Sequence, residues 1–555
     1  MRRLNKKVLL FLIIASLIIM LLSGCGSKVP EETSNAEKDS IKEKIIRVSD
    51  TGDPKIDPGG AYDTASIHAI INLYDSLVFP NHEGTISPWL ATDWEVSNDG
   101  LTWVFNIRRG VKFHNGDELT AEDVAFSMQR LLTMGEGFAY LFNDVVKEAE
   151  AIDTYKVQFK LKKSFGPFLS TLVRLYVLNK DQVLENKKSG QYGEFGDYGK
   201  EWLVSNDAGS GPYMLKEKKA QEYVYGVKFP DYWGGWDKDA PDAFKIIGTT
   251  EAATIRTLMS RRELEVTDSW QTEEALRTLS QIPGVELLRY VGPIIQNIML
   301  NTKKPPTDDV NFRKALSYAF DYETATKLFP GSTQARGPVP EGIVGHNPDV
   351  FQYKRDLEKA KEYLSKSKYA NNIKNYTVEV LVCSEVPDYE KVALLLQANA
   401  AEIGVNVKIT KVPWLSLVDM VSKQDTTPNA IVVQHMPNYN EAGATLEVRY
   451  HSKSTGTWEQ GEWLQDPEID AAIDDALRTM NKEERLAKYR KIQEKIVDLA
   501  PTIFVVNRAD SSAYQAAYIY YPSAELQKAG KPICPVMGYT HYFRDFRVYP
   551  DRIPK

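Results

Sequence analysis

Residues 376–410 read YTVEVLVCSEVPDYEKVALLLQANAAEIGVNVKIT, and this stretch decides the fold class. Tyr376–Val382 carries strand-type residues and gives way near Pro387. Val392, Leu395, Leu396, Ala400 and Ile403 then recur at helical spacing, with Gly404 as the stop. Val405, Val407 and Ile409 alternate with Asn406, Lys408 and Thr410, which marks a second strand. Strand, helix and strand within this length predict a right-handed parallel crossover, and so an α/β chain.

Working outward, two further helices are well punctuated. Asp466-Pro467 offers an N-cap and a proline at the first helical position, ahead of a stripe of Ile469, Ala472, Ile473, Ala476, Leu477 and Met480. Asn481 with Glu484 restarts a helix that runs to Ala500, Pro501 ends it, and Thr502–Val506 reads as a strand. Thr120 and Asp123 resemble a capping box before Val124, Met128, Leu131 and Leu132. Residues 86–119 differ: Trp103–Ile107 and Val111–Phe113 are short β runs broken by Asn98-Asp99-Gly100 and Asn115-Gly116-Asp117. They suggest a separate β-rich subdomain.

Composition bounds the possibilities. The 555 residues are 43% hydrophobic and 26% charged, which excludes wholesale disorder, a collagen-like repeat and a multi-span membrane protein. A formal charge of −7 gives no electrostatic footprint for nucleic acid. At the start, Arg2, Arg3, Lys6 and Lys7 precede the apolar run Val8–Leu22 and the small residues Ser23-Gly24. That is the layout of an export signal over residues 1–24, too short for a comfortable membrane span. Leu22-Ser23-Gly24-Cys25 resembles the lipobox of bacterial lipoproteins, with Cys25 as the acylated mature N-terminus. Residues 26–43 are small, polar and charged, so 25–43 reads as a flexible tether. Cys383 and Cys534 remain; an exported compartment permits a disulfide, but Cys383 reads most simply as a buried small hydrophobe.

Catalytic signatures are missing. The seven histidines show no metal-ligand spacing, and there is no HExxH, GxSxG, P-loop or GxGxxG. Gly209-Ser210-Gly211-Pro212 imitates a phosphate loop, yet Pro212 lacks a donor and no GK[ST] follows, so a turn is expected. An exported, tethered α/β chain without such motifs favours a solute receptor over an enzyme, and no cofactor is implied.

Ile86–Met128, ISPWLATDWEVSNDGLTWVFNIRRGVKFHNGDELTAEDVAFSM, resembles the signature region of the family 5 extracellular solute-binding proteins, the oligopeptide-, dipeptide- and nickel-binding components of ABC importers. Further landmarks follow in the family's order: Leu73–Leu77, Gly209–Tyr213, Pro230–Gly235, Asp309–Asp321, Gly337–Pro340, and Ile403-Gly404-Val405 leading to Trp414. The resemblance implies two α/β lobes that close over a ligand on hinge strands, with an extra β-rich domain inserted in lobe I. Lobe I is expected at 44–80, 200–290 and 515–555, the extra domain at 81–199, and lobe II at 291–514. Hinge crossings are expected near Val291–Leu300 and Val506–Ala513. Trp89, Trp94, Trp103 and Phe113 are expected to pack. The expected partners are ABC permease subunits with their ATPases and a membrane held through the lipid. The protein is expected to be a monomer on the extracellular or periplasmic side.

Peptide-binding relatives often place an Asp after a late lobe II strand, opposite the peptide's ammonium. This chain has Gln434-His435-Met436-Pro437-Asn438-Tyr439-Asn440-Glu441 there, with no Asp. A buried ammonium needs a carboxylate, so Glu441 becomes the substitute candidate. The expected ligand-binding set is Gln434, His435, Asn438, Tyr439 and Glu441, Gln296 and Asn297 on the first hinge crossing, and Trp270, Trp414, Trp458 and Trp463 as stacking platforms. Peptides are the first ligand class and oligosaccharides the second. Nickel is a minor alternative, because His435 is the only histidine expected near the cleft. Other classes that fit the same chain are a lipid-anchored enzyme and a sensor or chaperone.

Overall fold

The structure, a computed structural model, describes residues 44–554. The expected export signal and tether, with Cys25, lie outside the described residues. The deciding stretch folds as strand Thr377–Cys383, helix Pro387–Ala401 and strand Asn406–Val412. The two strands run parallel, from Thr377 opposite Asn406 to Cys383 opposite Val412. Pro387 lies in the first helical turn, where its missing N–H has no partner to lose. Gly404 takes φ +77°, the left-handed turn that lets the chain leave the helix. Val392, Leu396 and Ala400 are buried, so the stripe is core.

These strands belong to a six-stranded sheet in the order Thr333–Gln334, Thr502–Tyr514, Glu286–Leu300, Ala430–His435, Thr377–Cys383, Asn406–Val412. Its longest ladder pairs Glu286–Leu300 antiparallel with Thr502–Tyr514, from Glu286 opposite Tyr514 to Met299 opposite Thr502. The strand expected over Thr502–Val506 therefore runs eight residues further, to Tyr514. The extension escapes a hydrophobicity reading because Arg508, Asp510 and Ser512 are polar; it is held by the ladder to Glu286–Val291. The ladder loses register between Val291 and Ile294, at Gly292-Pro293. Proline there removes a ladder donor.

A four-stranded sheet, Ile45–Asp50, Ala243–Gly248, Tyr223–Lys228, Tyr213–Lys219, lies beside the first. Val266 connects the two, bridging Val48 on one side and Tyr514 on the other. A third sheet is an antiparallel meander of Ala91–Val96, Thr102–Ile107, Lys156–Leu161 and Val146–Asp153. Gly100, at φ +70°, turns its first hairpin. Val111–Phe113 does not form the expected strand; one bridge, Lys112 to Glu118, closes that loop. Val111 and Phe113 are both buried, so packing instead of a ladder holds the segment. The same region carries the helix Ala121–Met134, started by the Thr120/Asp123 capping box, and is mixed rather than purely β.

The landmarks of the chain meet at one buried carboxylate. Asp75 accepts hydrogen bonds from Trp89 Nε1 at 2.7 Å, and from Ser210 Oγ, Tyr232 Oη and Trp233 Nε1, each at 3.0 Å. Burial holds its pKa above the ordinary carboxylate value, against these four donors. Gly209 lets the Ser210 turn approach: a Cβ there would lie 1.9 Å from the Leu73 carbonyl oxygen. The segment is a packed turn, as expected, and its serine serves the core. Cys383 and Cys534 are free thiols, so no disulfide joins them. Burial pushes their pKa values up to about 11 and about 12, and neither is a thiolate at neutral pH.

Asp75→Asn would turn an NH₂ toward two of the four donors. Urea unfolding of this variant should show a loss of about 2–4 kcal/mol. Unchanged stability would mean that the four hydrogen bonds do not organise this core.

Candidate functional site

A cavity of about 1010 Å³ opens beside the register break in the long ladder. Alternation on Thr502–Tyr514 turns Arg508, Asp510 and Ser512 to this side, and the facing strand adds Tyr290 and Ile294. The end of Ile45–Asp50 and the helix Thr64–Leu73 supply Asp50 and His68, and the loop after Val266 supplies Asp268 and Trp270. The opposite wall carries Trp414, Gln434, His435, Asn438, Tyr439, Trp458 and Glu459, and residues near Tyr140 close one end.

Most of the ionisable side chains on these walls are engaged with one another or with neutral donors. Asp50 pairs with His68 Nδ1 at 2.7 Å, Glu459 with His435 at 3.0 Å, and Glu447 with Lys453 at 2.5 Å. Asp268 accepts from Ser49 Oγ, Gln271 Nε2 and the Trp270 N–H. Glu385 accepts from Ser384 Oγ and the Trp414 N–H. Asp388 takes Arg508 at 2.9 Å and Lys391 at 3.0 Å. Asp144 is exposed at the rim. Asp510 is different: its one side-chain hydrogen bond comes from Tyr290 Oη, at 2.9 Å. The surrounding protein raises its pKa above the usual carboxylate value, opposed by the Tyr290 donor and by His68 and Arg508.

Of the residues expected in the site, Trp270, Trp414, Gln434, His435, Asn438, Tyr439 and Trp458 line the cavity. Trp414 and Trp458 meet edge to face with ring centres 5.2 Å apart, and Trp270 is half exposed. Four others do not line it. Glu441 is locked in the core by Arg485 Nε at 2.7 Å, Arg485 Nη2 at 3.0 Å and Tyr489 Oη at 2.9 Å. Its position beyond Asn440 turns it inward, so it cannot stand in for the missing Asp. Trp463 donates its indole N–H to Thr427 Oγ1 at 2.8 Å, away from the cavity. Asn297 is buried in the sheet. Gln296 is also buried; it bonds the Val433 carbonyl and accepts from Gln434 Nε2, and so orients a cavity residue without being one.

His435 is not the only histidine here. His68 and His541 also line the cavity, with ring centres 4.1 Å apart. Burial, reinforced by His68, drives the His541 pKa well below its ordinary value. Among the described residues no group of three or more His, Cys, Asp or Glu is placed to hold a metal ion. Sequence reasoning missed Asp50, His68, Tyr290, Arg508, Asp510 and His541. The last strand did carry a signal: Arg508, Asp510 and Ser512 put polar groups at every second position of an apolar strand.

A two-lobed α/β fold around a cavity of this kind defines a solute-binding protein of the periplasmic type. The match to the family model for bacterial extracellular solute-binding proteins, family 5, middle region, spans residues 85–457, and the chain belongs to that family. It is 27% identical over 479 residues to the probable D,D-dipeptide-binding periplasmic protein DdpA of Escherichia coli K12, covering 84% of this chain and 89% of that one. Its fold matches the substrate-binding protein CtaP of Listeria monocytogenes with TM-score 0.78 at 22% identity, over 91% and 99% of the two chains. It also matches DppA of Helicobacter pylori, solved with the peptide STSA, with TM-score 0.74 at 23% identity, over 91% and 98%. No helix among the described residues is long and apolar enough to cross a membrane.

The Glu441 geometry makes a direct forecast. Glu441→Gln strands the Arg485 guanidinium in the core and should cost about 3–5 kcal/mol in urea unfolding. A variant of wild-type stability would contradict the buried pairing.

Proposed function

We propose that this protein captures a peptide-like solute in the cavity and delivers it to an ABC permease and its ATPase subunits, while a lipid on Cys25 holds it at the membrane. The observation that carries this reading is a large cavity walled by segments from both halves of the chain. Segments far apart in sequence touch directly around it: Arg174 Nε donates to the Asn438 carbonyl at 2.9 Å and Nη1 to the Met537 carbonyl at 3.1 Å. Asn440 Nδ2 donates to the Gly84 carbonyl at 3.0 Å, and the Gly166 N–H to the Leu477 carbonyl at 2.8 Å. A solute inside touches several of these segments at once, and parting these contacts widens its way in and out. The break at Gly292-Pro293 is the place where the long strands can flex. Ligand that touches both sides only when they are together shifts the population toward the closed form.

The peptide class is supported by the names of the relatives and by the acid-rich walls. Export followed by acylation is supported by the first 25 residues, and the lobe limits 44–80 with 200–290 and 515–555, 81–199, and 291–514 belong to the same proposal. Oligosaccharides remain the second reading, supported by Trp270, Trp414 and Trp458 on the walls. Native mass spectrometry of the purified protein, followed by calorimetry with peptide and oligosaccharide panels, separates them. Peptide binding is expected; sugar binding without peptide binding overturns the proposal.

Saturating ligand should shrink the radius of gyration in small-angle scattering, and Arg174→Ala, which removes two contacts around the cavity, should weaken binding about tenfold. No compaction would indicate a rigid binder. Cys25→Ser should move the protein from the membrane to the soluble fraction; unchanged partitioning would reject the lipid anchor.

A further inference from the structure

We infer that Asp510 with Tyr290, and Arg508 two residues before Asp510, form a paired site for the two charged ends of a dipeptide. The inference rests on the peptide reading above and adds the residues and the length. Asp268 and Asp510 are the interior wall carboxylates without a hydrogen-bonded basic side chain; Asp268 is occupied by Ser49, Gln271 and the Trp270 N–H, whereas Asp510 takes a single side-chain donor, Tyr290. Tyr290, directly opposite Asp510 in the ladder, donates its hydroxyl hydrogen to Asp510 Oδ2. The tyrosine lone pairs and Asp510 Oδ1 are then left to accept from an ammonium group.

Arg508 is held but not used up. Its Nη2 donates to Asp388 and its guanidinium lies 4.3 Å from the centre of the Phe329 ring, while Nε and Nη1 have no protein acceptor among the described residues. A guanidinium fixed by a ring and one carboxylate, with an open edge, suits a carboxylate ligand. Lys391 shares Asp388, so Arg508 retains net positive charge toward the cavity.

Spacing sets the length. Residues two apart on one strand face are separated by about 6.6 Å. A fully extended dipeptide spans about 7 Å and a tetrapeptide about 14 Å. An extended tetrapeptide overshoots this spacing, and an extended dipeptide matches it. Its side chains then have the rest of the cavity, toward the Trp414/Trp458 pair. The site also accounts for Asn438 and Glu441: with the ammonium bound on the Thr502–Tyr514 strand, the loop after Ala430–His435 needs no free carboxylate.

The test is calorimetry on the full-length protein with a dipeptide panel (Ala-Ala, Ala-Leu, Met-Leu, Phe-Ala and D-Ala-D-Ala), the N-acetyl and C-amide forms of the tightest binder, and tetra-alanine. N-acetylation should weaken binding at least about 50-fold. Asp510→Asn should weaken the free dipeptide by a similar factor yet leave the acetylated form within twofold. Arg508→Gln should behave in the same way toward the C-amide. That non-additivity distinguishes direct recognition from a folding defect. Circular dichroism of both variants should match wild type. Equal affinity for acetylated and free dipeptide, additive losses, or tetra-alanine binding as tightly as the dipeptides would overturn the inference while leaving a peptide receptor intact. Binding of no peptide of any length would overturn both.

Discussion

The antiparallel ladder between Glu286–Leu300 and Thr502–Tyr514 is the constraint on which the rest depends. It is the longest pairing in the six-stranded sheet and, through Val266, reaches the four-stranded one. Because side chains alternate along a strand, fixing this register decides which residues face the cavity. A slip of one residue would turn Arg508 and Asp510 toward the opposite face and bring Ser511 forward. The break at Gly292-Pro293 sits at the same level as Arg508, so the place where the ladder is weakest is also where its charged face begins.

A second group of interactions holds the surroundings rigid. Asp75 gathers two indoles, a phenol and a serine from three separate parts of the chain. Arg130 makes a buried two-pronged pair with Asp57, both contacts at 2.7 Å, and Arg485 does the same with Glu441. Buried pairs of this kind are strongly damaging to break, even though an apolar replacement of both partners can be neutral. They fix where segments meet more than they add to stability. Trp89 of the signature stretch and the landmark residues Ser210, Tyr232 and Trp233 are spent in this way, on the frame.

The candidate site was partly legible. Gln434, His435, Asn438 and Tyr439 and the tryptophans Trp270, Trp414 and Trp458 were chosen from residue type and from the resemblance, and all line the cavity. Glu441 was chosen by the same reasoning and fails, because nothing local announces that Arg485 and Tyr489, on a helix more than forty residues later, will claim it. Trp463 fails likewise through Thr427. His68, Asp50 and His541 went unseen since they come from the two ends of the chain and converge only in space.

What the sequence by itself determined were features governed by neighbours along the chain. Caps at Asp466, Asn481 and Thr120, the stop at Gly404, the hairpin at Gly100 and the 376–410 crossover all rest on short-range sterics and on the spacing of apolar residues. The expectation of an export signal and the search for catalytic motifs are equally local readings. Tertiary structure alone decided strand order, register, and which polar groups are left without partners. Whether a carboxylate is free to meet a ligand depends on every cation the fold brings near it. Asp510 and Glu441 look alike in the sequence and differ because one accepts from a neighbouring phenol at the edge of a cavity and the other from a guanidinium in the core.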